Sequence, residues 1–70
     1  MNEEIYNKLE IELFSLKDKI ENLYIFKESE NFNKINEKQQ SLLKVQYRIM
    51  CIYMMILEER MKDLKDSDIK

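Results

Sequence analysis

The sequence contains no glycine, proline, histidine or tryptophan, and Cys51 is its single cysteine. A glycine-rich phosphate-binding loop is excluded by the lack of glycine. The usual zinc sites and an intrachain disulfide are excluded because there is no histidine and no second cysteine. General acid–base catalysis would fall to carboxylates or lysines, which lie here at the spacing of exposed helix faces. We therefore expect no enzyme activity, no catalytic residue, no bound metal and no cofactor.

A strong charge imbalance is also missing, since 12 Lys and Arg residues face 14 Asp and Glu residues, for a net charge of −2. A protein that coats nucleic acid would show a basic stripe, so DNA and RNA are not expected as partners. A membrane span needs about 20 apolar residues, which this sequence does not have in one run. The N-terminus is acidic and does not resemble a signal peptide. These observations predict a soluble, intracellular protein.

The longest apolar run covers residues 49–57, which are apolar or aromatic without interruption. At 3.6 residues per turn, such a run is apolar on every face of a helix. It must therefore be covered on several sides, although a chain of 70 residues supplies few elements to cover it. Small folds often solve this problem by oligomerisation, and we expect self-association. Cys51 lies within the run, so we expect a buried, unreactive thiol.

The first predicted helix begins near Asn2, whose side chain is suited to a cap, with Glu3 and Glu4 following in the first turn. Apolar residues then alternate at spacings of three and four, which is a heptad pattern. This pattern predicts a helix over about residues 3–27. The residues of the pattern are Tyr6, Leu9, Leu13, Leu16, Ile20 and Leu23.

The periodicity stops in a polar, asparagine-rich connector over about residues 28–36, where Phe32 and Ile35 are expected to fold back over the helix pair. Asn36 with Gln39 resembles a capping box, which starts a second helix over about residues 37–65, with fraying from Asp66 onward. A short connector favours antiparallel packing. The predicted fold class is all-α: one domain over residues 1–70, an antiparallel two-helix hairpin that assembles into a homo-oligomer.

Two ordered series of residues then stand out, one in the first helix and connector and one in the second helix. The first series is Glu12, Leu16, Ile20, Leu23, Phe26, Ser29 and Phe32, and the second is Gln40, Leu42, Leu43, Gln46, Met50, Tyr53, Ile56, Leu57, Arg60 and Met61. Over residues 8–61, their order and spacing resemble small helical-hairpin proteins of phages. That family includes the anti-CBASS cyclic-nucleotide sponges and is related to the hairpin of an anti-Thoeris sponge.

The resemblance implies a homohexamer that binds cyclic di- or trinucleotides made by bacterial immune enzymes and withholds them, uncleaved, from their effectors. It implies phosphate contacts from Lys27 and Ser29, and a second, trinucleotide-type pocket at Arg60. The family's stacking aromatic aligns with Glu12, and Tyr6 is the nearby aromatic side chain that could replace it. The implied location is the cytoplasm of an infected bacterial host cell.

Two alternatives stay open at this point. The chain could be a helical self-assembly or protein-interaction module with no nucleotide ligand, or it could sequester a cyclic ADP-ribose signal of the Thoeris type. Tyr6 could likewise be a packing residue rather than a ligand contact. Composition alone does not separate these alternatives.

Overall fold

The fold is a rod of two long helices, described over residues 2–69 by a computed structural model, with side chains described through residue 66. Helix α1 spans Asn2–Lys27, a 3-10 helix spans Glu30–Lys34, and helix α2 spans Glu37–Ile69. The helices pack along their length in a rod with extents of 52 × 15 × 14 Å. The prediction of an all-α hairpin is therefore confirmed. Over the described residues, neither helix is long and apolar enough to cross a membrane.

Helix α1 packs through the heptad pattern found in its sequence. Leu9 and Leu16 are buried, with 4% and 7% of their surface exposed. The other members of the pattern are half-buried, and Leu13 and Ile20 pack against the core. Glu3 and Glu4 lie in the first turn, where carboxylates interact favourably with the helix dipole. Periodicity and dipole together account for the position of α1.

Helix α2 meets α1 through one heptad-spaced row, called here the inner stripe. Leu57 is at its centre and is fully buried, so it closes the core with Leu9 and Leu16. Methionines supply much of the remaining contact, and their unbranched side chains fill irregular gaps well. The inner stripe consists of Leu43, Tyr47, Met50, Met54, Leu57, Met61 and Leu64, all buried or half-buried.

A second heptad-spaced row of apolar residues runs along α2 without covering, and it is called here the outer stripe. At 100° per residue it lies on the order of 130° around the helix from the inner stripe. Each of its side chains is between 51% and 59% exposed. The outer stripe consists of Leu42, Val45, Ile49, Ile52 and Ile56. The apolar run at residues 49–57 thus has one side packed against α1 and another side open in the single chain.

The connector reverses the chain without any glycine. Ser29 and Ile35 flank the 3-10 helix in extended conformations, with φ/ψ of −88°/161° and −83°/158°. No described residue has a positive φ, so the turn needs no left-handed position. Phe32 is buried, and its ring contacts Phe26 edge-on with the centroids 6.1 Å apart. The chain thus reverses by changing direction at Ser29 and again at Ile35, on either side of the 3-10 helix, instead of through one tight turn.

The start of α2 is fixed by its first residues. The Gln39 backbone N–H donates to Asn36 Oδ1 at 2.9 Å, and the Gln40 N–H donates to the Asn36 carbonyl at 3.0 Å. The Gln40 side-chain Nε2 also donates to the carbonyls of Phe32 and Ile35, at 3.1 and 3.0 Å. The predicted Asn36 cap is confirmed, and Gln40 additionally ties the connector to α2.

Three details differ from the sequence-based expectations. The connector, expected to be irregular, contains the 3-10 helix, because Phe32 buries its ring there. Helix α2 continues to Ile69 rather than ending near residue 65, since no glycine or proline interrupts it; Lys70 lies outside the described residues. Cys51 is half-buried rather than buried, because it lies at the edge of the inner stripe.

Candidate functional site

The end of the hairpin that carries the connector, called here the closed end, holds a cation against aromatic rings. The Lys27 Nζ atom lies 4.1 Å from the centroid of the Tyr47 ring. The Tyr24 ring lies beside Tyr47, with centroids 6.3 Å apart and planes tilted by 38°. A cation over an aromatic face is stabilised by about 0.5–1 kcal/mol at exposed sites. Lys27 also ends α1, where a positive charge complements the helix dipole.

Tyr47 carries the perturbed group of this cluster. Partial burial raises the pKa of its phenol above the ordinary value of 10.0, and the neighbouring Cys51 and Tyr24 raise the pKa further. Removal from water disfavours the charged phenolate, which accounts for the direction of the shift. The ring below Lys27 is therefore a neutral phenol at physiological pH, and it offers the ammonium a face rather than a counter-ion.

Ser29 lies two residues beyond Lys27, and its polar groups already have partners. The hydroxyl donates to the Phe26 carbonyl at 2.6 Å, and the Ser29 backbone N–H donates to the same carbonyl at 3.0 Å. Both bonds satisfy an otherwise unpaired carbonyl at the end of α1. If the hydroxyl is to donate to a ligand, it must first give up the Phe26 carbonyl.

A second lysine approaches an aromatic ring at the closed end. The Lys44 Nζ atom lies 6.0 Å from the centroid of the buried Phe32 ring. Neither Lys44 nor Tyr47 was among the site residues predicted from the sequence. The available signal was their position about two and three turns into the second helix, opposite the end of the first. Two ammonium groups at this end can pair with phosphate, and the half-exposed Tyr24 ring leaves surface on which a base can stack.

The other two predicted site residues lie at the opposite, open end of the hairpin. Tyr6 lines a shallow groove of about 260 Å³ that also contacts Lys62 and Lys65. Arg60 lines a separate groove of about 570 Å³, whose floor is formed by residues such as Ile52 and Ile56 of the outer stripe. Tyr6 and Arg60 therefore line different grooves and do not form one site within a single hairpin.

One hairpin does not bring the four predicted residues together. Tyr6 and Lys27 are both in α1, 21 positions apart, and at 1.5 Å per residue this separates them by roughly 31 Å. Such a span is much longer than a cyclic dinucleotide. Lys27 and Ser29 share the closed end, whereas Tyr6 and Arg60 share the open end. A site that combines the two ends needs more than one copy of the chain.

No metal centre is visible in the described part of the chain, where no group of three or more Asp, Glu or Cys side chains could hold an ion. The same region contains no buried side-chain polar atom without a hydrogen-bond partner. The polar chemistry of the hairpin is thus at its surface, at the lysines and the exposed carboxylates.

The fold and its surface define a small helical-hairpin protein with lysines against aromatic rings at one end and an uncovered apolar face. The chain belongs to the Sequestin family, which matches residues 3–63 and so includes the connector and most of both helices. The resemblance to a sponge-type phage family is thereby confirmed, and the family name indicates sequestration. A search of the curated proteins and a search of the solved structures found no match to this chain.

Proposed function

We propose that this chain binds cyclic di- or trinucleotide second messengers and sequesters them, so that CBASS-type effectors are not activated. Membership of the Sequestin family over residues 3–63 carries this proposal. The protein acts in the cytoplasm of an infected bacterial cell and performs no chemistry on its ligand. Its effect then depends on affinity and on the number of copies present.

The closed end supplies suitable chemistry for such a ligand. A cyclic dinucleotide carries two phosphates, and Lys27 provides an ammonium that can pair with one of them. Two copies related by a two-fold axis provide two such lysines for a ligand with similar symmetry. Each charge-assisted contact contributes about 1.5–3 kcal/mol. The Tyr24 and Tyr47 rings, 6.3 Å apart, offer apolar surface next to these charges.

Self-association is part of the proposal, with a homohexamer as the proposed assembly. Full burial of a Val, Leu or Ile side chain contributes about 1.5–3 kcal/mol, so a half-exposed one contributes roughly half as much. The residues of the outer stripe from two copies together contribute on the order of 10 kcal/mol, which is comparable with the cost of association. The exposed Ile11 and Phe14 of α1, at 71% and 78%, provide a further apolar surface. An assembly larger than a dimer would use both surfaces.

A thermal-shift panel of cyclic dinucleotides, cyclic trinucleotides and cyclic ADP-ribose isomers tests the proposal, with the corresponding linear di- and trinucleotides as matched controls. A ligand present at 100 times its Kd stabilises the folded protein by about 2.7 kcal/mol. We expect this shift from at least one cyclic di- or trinucleotide and no comparable shift from its linear form. No shift from any of them would contradict the proposal.

A separate measurement tests whether the protein leaves its ligand uncleaved. After incubation and heat denaturation, chromatography should recover the cyclic ligand intact. Recovery of a linear product would identify a phosphodiesterase instead.

The outer stripe favours one alternative, a self-assembly module with no nucleotide ligand. A panel without any shift, together with a stable oligomer, would support that function. A shift from cyclic ADP-ribose isomers alone would indicate a signal of the Thoeris type.

A further inference from the structure

The outer stripe of α2 continues beyond its apolar residues into charged ones at the same heptad spacing. Lys38 precedes Leu42 by four positions, and Glu59 and Asp63 follow Ile56 at spacings of three and four. All three charged side chains are exposed. One continuous row therefore has a positive charge at its beginning, aliphatic residues in its centre and negative charges at its end.

This charge order determines how two copies can meet. In a parallel pair, each charged position would face its own copy, so Lys38 would meet Lys38 and Asp63 would meet Asp63. In an antiparallel pair, Lys38 of each copy meets the acidic end of the other. Like charges at facing positions disfavour one arrangement and opposite charges favour the other. The central residues of the outer stripe make aliphatic contacts in both the parallel and the antiparallel pair, so the charged residues at its two ends determine which pair is favoured.

We infer that the outer stripe is the pairing surface for a second copy of this chain, that the two α2 helices lie antiparallel, and that Lys38 of each copy contacts Asp63 of the other. Along an antiparallel pair, one helix is followed toward its C-terminus while the other is followed toward its N-terminus. Ile49, which is eleven residues after Lys38, therefore lies opposite Ile52 of the second copy, which is eleven residues before Asp63. The inference rests on the self-association in the proposed function, and it does not depend on which ligand is bound.

The groove beside Arg60 supports the same arrangement. It is lined mainly by carbon atoms of Ile52, Met55 and Ile56, and its charged rim is Glu59, Arg60 and Asp63. The register above places Leu42 of the second copy next to Glu59, within this groove, and Lys38 next to its rim. An apolar floor whose rim carries two carboxylates beside Arg60 thus receives an apolar side chain followed by a cation, and the carboxylate of Asp63 is the one that faces this cation.

The pairing also affects the ligand site. It places the open end of one hairpin beside the closed end of the other, so that Arg60 of one copy lies at the level of Ser41 near the start of its neighbour's α2, roughly 8 Å from the end of the connector. A parallel pair would keep Arg60 at the far end from both connectors. The antiparallel arrangement is therefore the one in which Arg60 and Lys27 from different copies can contribute to neighbouring surfaces.

Charge reversal tests the direction of the pair. All proteins in the set carry Glu59→Gln, so that Asp63 is the one acidic residue left to face Lys38. The Glu59→Gln protein is the parent, and it is compared with Lys38→Glu, Asp63→Lys and the variant that combines these two changes. Sedimentation equilibrium should show association about tenfold weaker in each single variant, equivalent to about 1.4 kcal/mol. The double variant should recover to within about threefold of the parent. Single variants that associate like the parent, or a double variant no better than the single ones, would overturn the inference.

Disulfide crosslinking provides a second test that does not depend on association strength. In a Cys51→Ala background, Ile49→Cys mixed with Ile52→Cys should give the mixed disulfide preferentially, since a disulfide needs Cα atoms about 4.4–6.8 Å apart. Ile49→Cys crosslinked mainly to itself would indicate a parallel pair and overturn the inference. An oligomer that forms neither crosslink would overturn this pairing alone, whereas a monomer would overturn both the pairing and the proposed self-association.

Discussion

The inner and outer stripes of α2 are two apolar rows on one helix with different surroundings. The inner stripe is rich in Leu and Met and is buried or half-buried against α1, with Leu57 at 0% exposure. The outer stripe is rich in β-branched residues, and its members are more than half exposed. The inner stripe is thus covered by α1 of the same chain, while the outer stripe has no covering element in that chain.

The difference in side chains matches this division. Met and Leu adapt to the irregular surface of a short partner helix. Val and Ile have restricted χ1 angles in a helix and pack well at repeated positions between equivalent helices. A row of stiff side chains with no partner in its own chain is typical of a surface that meets another helix.

The largest effect on the hairpin is expected at the fully buried centre of the inner stripe. Leu57→Ala removes buried methyl groups and leaves a cavity, so the free energy of unfolding should fall by about 2–5 kcal/mol. Ile56→Ala, next to it on the outer stripe, is the matched control and should affect a dilute, dissociated sample much less. Urea unfolding followed by circular dichroism makes the comparison. Equal losses at the two positions would mean that the stripes do not differ as described.

The opposite pattern is expected for assembly. Ile52→Glu places an unpaired charge in the proposed interface, and we expect self-association to weaken at least a hundredfold, equivalent to about 2.7 kcal/mol. The helix content should be retained because this side chain is 57% exposed in the hairpin. Ile52→Val is the conservative control. Sedimentation measures the assembly, and an unchanged oligomer in Ile52→Glu would exclude the outer stripe from the interface.

Much of this architecture could be predicted from the sequence, since period and caps are local properties. The heptad spacing from Tyr6 to Leu23 predicted α1, and Asn36 predicted the start of α2, where its side chain accepts the Gln39 N–H. The 3-10 helix escaped prediction because it depends on a tertiary contact, that of the Phe32 ring with Phe26 at the end of α1. The contact between Lys27 and Tyr47 escaped for the same reason, because it joins residues on different helices.

Lys27 contacts the Tyr47 ring inside the hairpin, and substitution of Lys27 tests whether it also binds the ligand. Lys27 and Tyr47 are both half-buried, and their contact is worth about 1 kcal/mol, so Lys27→Ala should lower the melting temperature by only several degrees. If the ammonium meets a phosphate, affinity for the cyclic nucleotide should fall at least tenfold, equivalent to about 1.4 kcal/mol. Titration calorimetry measures this affinity.

Two further variants make the Lys27 result specific. Lys27→Arg keeps the charge and should retain most of the affinity. Arg60→Ala should weaken the binding of cyclic trinucleotides and leave dinucleotides unaffected. Unchanged affinity in both Lys27→Ala and Arg60→Ala would show that neither residue binds the ligand, and the self-assembly function would become the better account.

The Asn36 cap concerns the hairpin alone. Asn36→Ala removes the acceptor of the Gln39 N–H, and the loss of a cap typically costs about 1 kcal/mol. Asn36→Asp retains an acceptor at the same position and should be close to the parent protein. Thermal unfolding compares the three proteins. A loss as large in Asn36→Asp as in Asn36→Ala would mean that the side-chain acceptor is not the stabilising feature.

The smallest effect is expected at Ser29, whose hydroxyl is already committed to the Phe26 carbonyl at 2.6 Å. A neutral hydrogen bond contributes about 0.5–1.5 kcal/mol, so Ser29→Ala should reduce stability by an amount near the lower end of that range, since the backbone N–H keeps the same carbonyl partnered. A phosphate oxygen only accepts hydrogen bonds, so the hydroxyl would have to leave Phe26 to bind it. The gain from the new bond is then offset by the loss of the old one, and affinity should fall less than in Lys27→Ala. Ser29→Thr keeps the hydroxyl and should bind like the parent protein. A loss of affinity in Ser29→Ala as large as that in Lys27→Ala, measured by the same titrations, would show that the hydroxyl exchanges Phe26 for the ligand.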